Sequence, residues 1–215
     1  MEEQFKSHIV NMLKLGKDTV LGNPTLVKET GVVNAKGDRS IEMDVKVEEL
    51  FIEYIKNNNL PVNIFSEEIG TVSIHSDPQF LIAFDPLDGS TNYMIGKGLL
   101  PYGSLIAVYN GTRPVLRDVI AAGAIEYTRD LAWVYDGKNT TDLHGKRVQL
   151  RQDWPIYKST PMYLDLYYPE GYQTYAPLAQ AMFVRNTGAT IGHLSLVISD
   201  VAAGLGGVCM RAEEI

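Results

Sequence analysis

Leu81-Ile-Ala-Phe-Asp85-Pro-Leu-Asp88-Gly-Ser-Thr-Asn92-Tyr93 is the stretch on which the reading of this chain turns. Four apolar residues lead into two aspartates three positions apart, and Gly-Ser-Thr-Asn follows. An apolar run of this length reads as a buried strand. Asp85 then stands at the carboxyl end of the strand, where Pro86 is expected to break the ladder. Gly89 to Asn92 read as a turn opening a helix, and outward-facing N–H groups at a helix start suit a phosphate. Two carboxylates beside a phosphate repel it and each other unless a divalent cation lies between them. The stretch therefore predicts a metal-assisted phosphate site. Asp-Gly and Ser-Thr-Asn are also ordinary turn and cap residues. The functional reading rests on the combination of spaced carboxylates, a strand before them and hydroxyls after them.

The rest of the composition agrees. The chain has 215 residues, 45% hydrophobic and 21% charged, as in an ordinary globular protein. Its net charge of -7 argues against nucleic acid or an anionic membrane as a general partner, since either needs a basic face. The lone Cys209 cannot form an internal disulfide and fits a reducing cytoplasm. The start, Met1-Glu-Glu-Gln, has neither the basic nor the apolar region of a signal peptide, and no apolar run is long enough for a membrane span.

Working outward, Phe5, Ile9, Met12, Leu13 and Val20 predict an amphipathic helix over 2–21, stopped by Gly22-Asn23-Pro24. Residues 28–40 read as a loop. A second helix runs from Asp44 to about residue 57, carrying Val47, Leu50, Phe51, Tyr54 and Ile55. Strands are expected at 62–65, 80–85, 102–109, 115–127, 131–135 and 147–150, with a hairpin at Asn110-Gly111-Thr112. After Trp154-Pro155 the pattern becomes strand 162–167, helix 174–182, strand 183–185, helix 192–203 and strand 207–212. This alternation predicts an α/β second part. Two regions follow, 1–154 carrying the metal site and 155–215.

Ser66-Glu67-Glu68-Ile69-Gly70 together with Asp85-Pro-Leu-Asp88-Gly-Ser-Thr-Asn resembles the inositol monophosphatase family. That family belongs to the magnesium-dependent, lithium-sensitive phosphatases, which include archaeal fructose-1,6-bisphosphatases. Lys36-Gly-Asp-Arg-Ser40-Ile-Glu-Met-Asp44 is similar to the family's loop and aspartate before its second helix, and the similarity runs in order along nearly the whole chain. The resemblance implies an α/β (α+β) fold, a layered αβαβα sandwich of the sugar phosphatase type. It implies that Glu67, Asp85, Asp88 and the backbone carbonyl of Leu87 hold two or three Mg²⁺ ions, a hard cation that takes oxygen ligands. Ser90 and Asp44 match the pair that orients the attacking water, and Glu67 joins them as a catalytic candidate. The backbone of Gly89, Ser90 and Thr91 is expected to hold the phosphate, with Arg185 and Gly192 on the substrate side. Glu68 is either a supporting group or a third-metal ligand. Lys36 and Asp38 are solvated loop charges or part of a loop that closes over substrate. His8, His75 and His144 are expected at the surface, without ligand spacing. The family also implies a homodimer.

The chain departs from the pattern at its end. The family's third metal aspartate opens a late helix, and Ser199-Asp200-Val-Ala-Ala-Gly204 is the tempting match. Leu194, Val197, Ile198 and Val201 fall at helical spacing around it, which puts Asp200 inside an earlier helix and makes it the weakest metal candidate. The chain is then expected to be a piece of a longer protein, a short variant with a weakened second metal site, or a scaffold that has lost catalysis. The expected activity is hydrolysis of a small polyol or sugar phosphate. The alternatives are a 3′-phosphoadenosine nucleotide phosphatase and a non-catalytic binding protein. A haloacid dehalogenase-type aspartyl nucleophile needs its aspartates one residue apart, whereas Pro86 and Leu87 separate these two.

Overall fold

The computed structural model describes residues 2–34, 39–149, 157–164, 169–202 and 208–210. Helix α1 (Glu2–Gly22) buries Phe5, Ile9, Met12, Leu13 and Val20, the residues whose spacing predicts it. Helix α2 (Glu42–Asn57) buries Met43, Val47, Phe51 and Ile55. Both helices pack on one face of a mixed sheet. That sheet contains β3 (Val62–Ser66), β4 (Gly70–Ser73), β5 (Phe80–Asp88), β6 (Gly103–Asn110), β7 (Val119–Glu126), β8 (Leu131–Tyr135) and β9 (Thr140–Asp142). Their order is β4-β3-β5-β6-β7-β8-β9. Only β3 and β5 run parallel; the other neighbours are antiparallel.

The alternation along β5 fixes which face meets the helices. Phe80, Ile82 and Phe84 are buried, while Leu81, Ala83 and Asp85 are half-buried. Phe84 meets Phe51 edge-on at 5.5 Å, and Phe80 meets Phe5 at 5.0 Å. Each fully buried side chain of this size contributes about 1.5–3 kcal/mol. The helix–sheet interface is therefore the main source of stability, and it makes β5 a rigid base for the residues that follow Asp85.

Beyond this layer, β10 (Pro161–Leu164), α4 (Pro169–Ala181), β11 (Phe183–Arg185), α5 (Thr190–Ala202) and β12 (Val208–Met210) alternate. Their strands form a parallel sheet in the order β11-β10-β12. Helix α5 packs against β6 and β7 as well as β12, so it bridges the two sheets.

Several sequence expectations need correction. Residues 28–40 read as loop, yet β1 (Glu29–Val33) and β2 (Arg39–Ile41) pair antiparallel. Every residue of β1 is exposed, so no period-2 burial marks it. The strand expected from 115 starts at Val119, because Leu116–Asp118 form a 3₁₀ turn. The strand expected at 147–150 reduces to one bridge, Thr141 to Arg147, and β9 lies earlier. Pro86 does not end β5, which continues to Asp88 through an irregularity in register. Lys36, Asp38 and the region boundary near 155 lie outside the described residues.

Candidate active site

The carboxyl end of β5 runs directly into the turn that starts α3 (Ser90–Gly96). Gly89 makes the turn at φ +84°, and a Cβ there would lie 2.8 Å from that of Ala189. Glycine alone meets both demands. Around this turn is a cavity of about 410 Å³. Its walls bring together Asp44 from α2, Glu67 and Glu68 from the β3–β4 turn, Asp85 and Asp88 from β5, and the start of α3. Residues 66 and 84 are paired in the parallel ladder, and the Glu67 N–H bonds the Phe84 carbonyl at 3.3 Å. This pairing brings Glu67 beside Asp85, eighteen residues away in sequence. A larger apolar groove of about 440 Å³ crosses the other face of the sheet and shares only Glu67 and Asp85 with the acidic cavity.

Asp44 is 2% exposed and accepts two hydrogen bonds. The Ile41 N–H reaches its Oδ2 at 2.8 Å, and the Ser90 hydroxyl lies 2.7 Å from its Oδ1. Ser90 also lies 3.0 Å from the Leu87 carbonyl. Burial pushes the Asp44 carboxyl up to about 7. The two hydrogen bonds oppose that rise, and the charges of Glu68 and Glu67 add to it. Capping and a candidate catalytic role thus coexist in one side chain. One turn further along α2, Glu48 is also buried; loss of solvent raises its pKa, and Ser66 donates to it. Glu68 accepts from Ser40, which places it in support of the hairpin.

Asp88 has a use that its sequence position does not reveal. Its carboxylate accepts the backbone N–H groups of Thr190 at 3.2 Å and Ile191 at 2.5 Å. It therefore caps α5, where a negative charge is favoured by the helix dipole. Asp85 accepts the Leu87 N–H at 3.1 Å. Asn92, absent from the sequence expectations as a site residue, donates to the Pro101 and Thr187 carbonyls at 2.8 Å each, holding the loop before α5 against α3.

Thr91 lines the cavity, as do Gly89 and Ser90. Two expected substrate contacts do not. Arg185 stacks its guanidinium 3.7 Å from the centre of the exposed Phe183 ring. Gly192 sits where a Cβ would meet Thr187 and Pro101. Arg39 and Asn186 line the cavity instead. Nothing in the sequence singles out Arg39, because its segment carries no periodic signal; it pairs with Glu29 at 2.7 Å. Asp200 falls within α5, and its side chain lies outside the described residues. His8 is only half-buried, with Nδ1 3.0 Å from the Tyr54 hydroxyl.

The donor set suits a hard divalent cation. Asp44, Glu67, Glu68, Asp85, Asp88 and Leu87 line one cavity, whose only lysine or arginine among the described residues is Arg39. Among the described residues, however, no three acidic or imidazole side chains are already drawn together at metal distance. The engagement of Asp88 with α5 and of Glu68 with Ser40 accounts for part of that spread. The chemistry of the donors fits the cation, while Asp44, Glu68, Asp85 and Asp88 already accept bonds from backbone or hydroxyl groups.

No protein-family model matches the sequence. Curated relatives do. The fructose-1,6-bisphosphatase of Pyrococcus furiosus is 30% identical over 137 residues, covering 61% of this chain and 47% of that protein. The fructose-1,6-bisphosphatase/inositol-1-monophosphatase of Methanothermobacter thermautotrophicus is 30% identical over 114 residues, covering 49% and 40%. The matched stretch thus spans less than half the length of these relatives. The solved Thermotoga maritima IMPase shares the architecture at a TM-score of 0.65 and 16% identity, over 99% of this chain and 78% of that one. The fold is that of the inositol monophosphatase superfamily. This superfamily fold, with local sequence similarity to two of its phosphatases, agrees with the expected α/β class and with the resemblance carried by Glu67-Glu68 and Asp85 to Asn92. No helix among the described residues is long and apolar enough to cross a membrane.

Proposed function

We propose that the chain is a Mg²⁺-dependent phosphomonoesterase acting on a small polyol or sugar phosphate. The observation that carries this reading is the buried Asp44–Ser90 pair facing Glu67, Asp85 and Asp88 across one cavity. Glu67, Asp85, the Leu87 carbonyl and Asp88 are the residues to hold two or three Mg²⁺ ions. Bound magnesium supplies positive charge that offsets the carboxylates and stabilises charge developing on phosphoryl oxygens. The turn at Gly89, Ser90 and Thr91 seats the phosphate. Ser90, fixed between Asp44 and the Leu87 carbonyl, orients a water, and Asp44 takes its proton. The 1–154 region supplies the metal ligands and Ser90, and the 155–215 region supplies the loop before α5. A homodimer in the cytoplasm belongs to the same reading; Ile95 and Leu99, 66% and 86% exposed at and beside α3, offer an apolar association surface.

A non-catalytic binding protein is the second reading. The capping of α5 by Asp88 favours it, because that carboxylate is already satisfied. Phosphate release from inositol-1-phosphate and fructose-1,6-bisphosphate, with and without Mg²⁺, separates the two. Mg²⁺-dependent release supports the enzyme. Folded protein that binds these esters without releasing phosphate supports the binding protein.

A further inference from the structure

We propose that Ser104 is a positioning residue for the metal ligands: braced from behind by Tyr127, its hydroxyl completes a buried relay that sets the Pro86–Leu87 peptide plane and, through it, Asp85. The inference rests on the metal reading above. Its starting point is the register of β5 against β6. Asp85 pairs with Leu105 and Asp88 with Gly103, so three steps on β5 oppose two on β6. The extra residue makes a bulge, a device that re-aims side chains at the end of a strand. Proline has no N–H to give, which makes Pro86 suited to the irregularity.

Ser104 is the β6 residue opposite this bulge. It is fully buried, and its hydroxyl lies 2.5 Å from the Pro86 carbonyl. The Tyr127 hydroxyl lies 2.6 Å from the same Ser104 oxygen. A carbonyl only accepts, so the single Ser104 hydrogen points to Pro86 and Tyr127 donates to Ser104. Burial holds the Tyr127 phenol well above its usual range, so it remains a donor. Tyr127 is wedged beneath α1 at Gly16, where a Cβ would come within 2.8 Å of its hydroxyl. The direction of the relay is therefore fixed from the helix layer to the bulge.

The peptide plane carries it onward. The Pro86 carbonyl and the Leu87 N–H belong to one planar unit. Ser104 holds the carbonyl end, while the N–H end donates to Asp85 Oδ1 at 3.1 Å. Rotation of this plane would release Asp85 Oδ1 and swing the peptide that leads to the Leu87 carbonyl. Ser104 thus acts on two proposed ligands without facing the cavity itself.

The test is Mn²⁺ binding, read by electron paramagnetic resonance on the whole chain, together with the Mg²⁺ dependence of phosphate release and urea stability in EDTA. Ser104→Ala is expected to weaken Mn²⁺ binding roughly tenfold and raise the Mg²⁺ needed for half-maximal activity in proportion, the size typical of groups that orient metal ligands. Tyr127→Phe leaves the Ser104–Pro86 bond in place, so it should lose stability yet keep Mn²⁺ affinity within about twofold of the wild type. Ser104→Cys, which keeps the volume and a weak donor, should fall between, and it serves as the test if the alanine variant does not fold. Unchanged Mn²⁺ affinity in the folded position-104 variant overturns the inference while leaving the metal reading standing. An equal loss in Tyr127→Phe overturns it in favour of general loosening. A wild type that binds no Mn²⁺ overturns the metal reading and this inference with it.

Discussion

Replacing Asp44 with asparagine should make the metal-free protein more stable at alkaline pH while abolishing turnover. The geometry permits a clean exchange. In Asp44→Asn the side-chain oxygen can keep the bond from the Ile41 N–H, now 2.8 Å from Oδ2. The new amide can donate to Ser90, whose hydrogen then goes to the Leu87 carbonyl, 3.0 Å away. What disappears is the charge. In the wild type the carboxyl is raised from 3.8 to about 7, chiefly by burial. The folded state therefore holds the proton more tightly than the unfolded chain. The stability linked to that proton is fully present below pH 3.8 and is lost as pH rises through about 7. A shift of this size corresponds to about 4 kcal/mol at most, and relaxation of a real interior lowers it to about 2–4 kcal/mol. With a urea slope of about 3 kcal/mol/M for a chain of this length, the Asp44→Asn midpoint should exceed the wild type's by roughly 1 M at pH 8 in EDTA. The advantage should shrink towards pH 4. The measurement is urea unfolding by circular dichroism at pH 4, 6 and 8. A variant that is no more stable than the wild type at pH 8, or whose advantage does not depend on pH, refutes the assignment of a costly buried charge at Asp44.

Three further outcomes are expected. Asp85→Asn retains an oxygen for the Leu87 N–H, so circular dichroism and unfolding should stay close to wild type, while Mg²⁺-dependent phosphate release falls to background; unchanged turnover would sink the site assignment. Gly89→Ala forces an alanine to φ +84° against Ala189, Pro101 and Tyr102, and should cost at least about 1–2 kcal/mol in a thermal melt, with loss of activity. Glu126→Ala strips the fully buried partner of the exposed Arg129, bonded at 2.6 Å, and of the Thr128 N–H at 2.8 Å; about 1–2 kcal/mol should be lost in urea unfolding. Arg129 also bonds Ser195, so hydrogen exchange in α5 should rise in that variant.

The parts of the fold that could be read in the sequence are those where one physical rule dominates locally. The helical spacing of Phe5, Ile9, Met12 and Leu13 and the apolar run into Asp85 each mark a surface that must be buried. The hairpin of β1 and β2 escapes such a reading because Glu29 to Val33 are all exposed and no alternation betrays them. Pro86 misleads, since a proline reads as a strand stop, whereas here Ser104 takes the Pro86 carbonyl within a bulge. Asp85 and Ser90 are legible because strand, turn and helix signals place them near one another, and Glu67 is legible through the family resemblance of Ser66-Glu67-Glu68. The bonds of Asp88 to Thr190 and Ile191 join residues more than a hundred positions apart, and no local pattern encodes such a partner.

The bond from Ile191 to Asp88 closes a loop of 103 residues. Loops of that length form late, because chain entropy must be lost before the contact returns anything. The first sheet and its two helices can be complete while Asp88 still lacks these two partners. A chain emerging from the ribosome would thus present an acidic pocket of unfinished shape until α5 arrives. The final geometry of the site then waits on the docking of α5, and refolding followed by stopped-flow fluorescence should show core formation ahead of any ability to bind a cation or a phosphate ester.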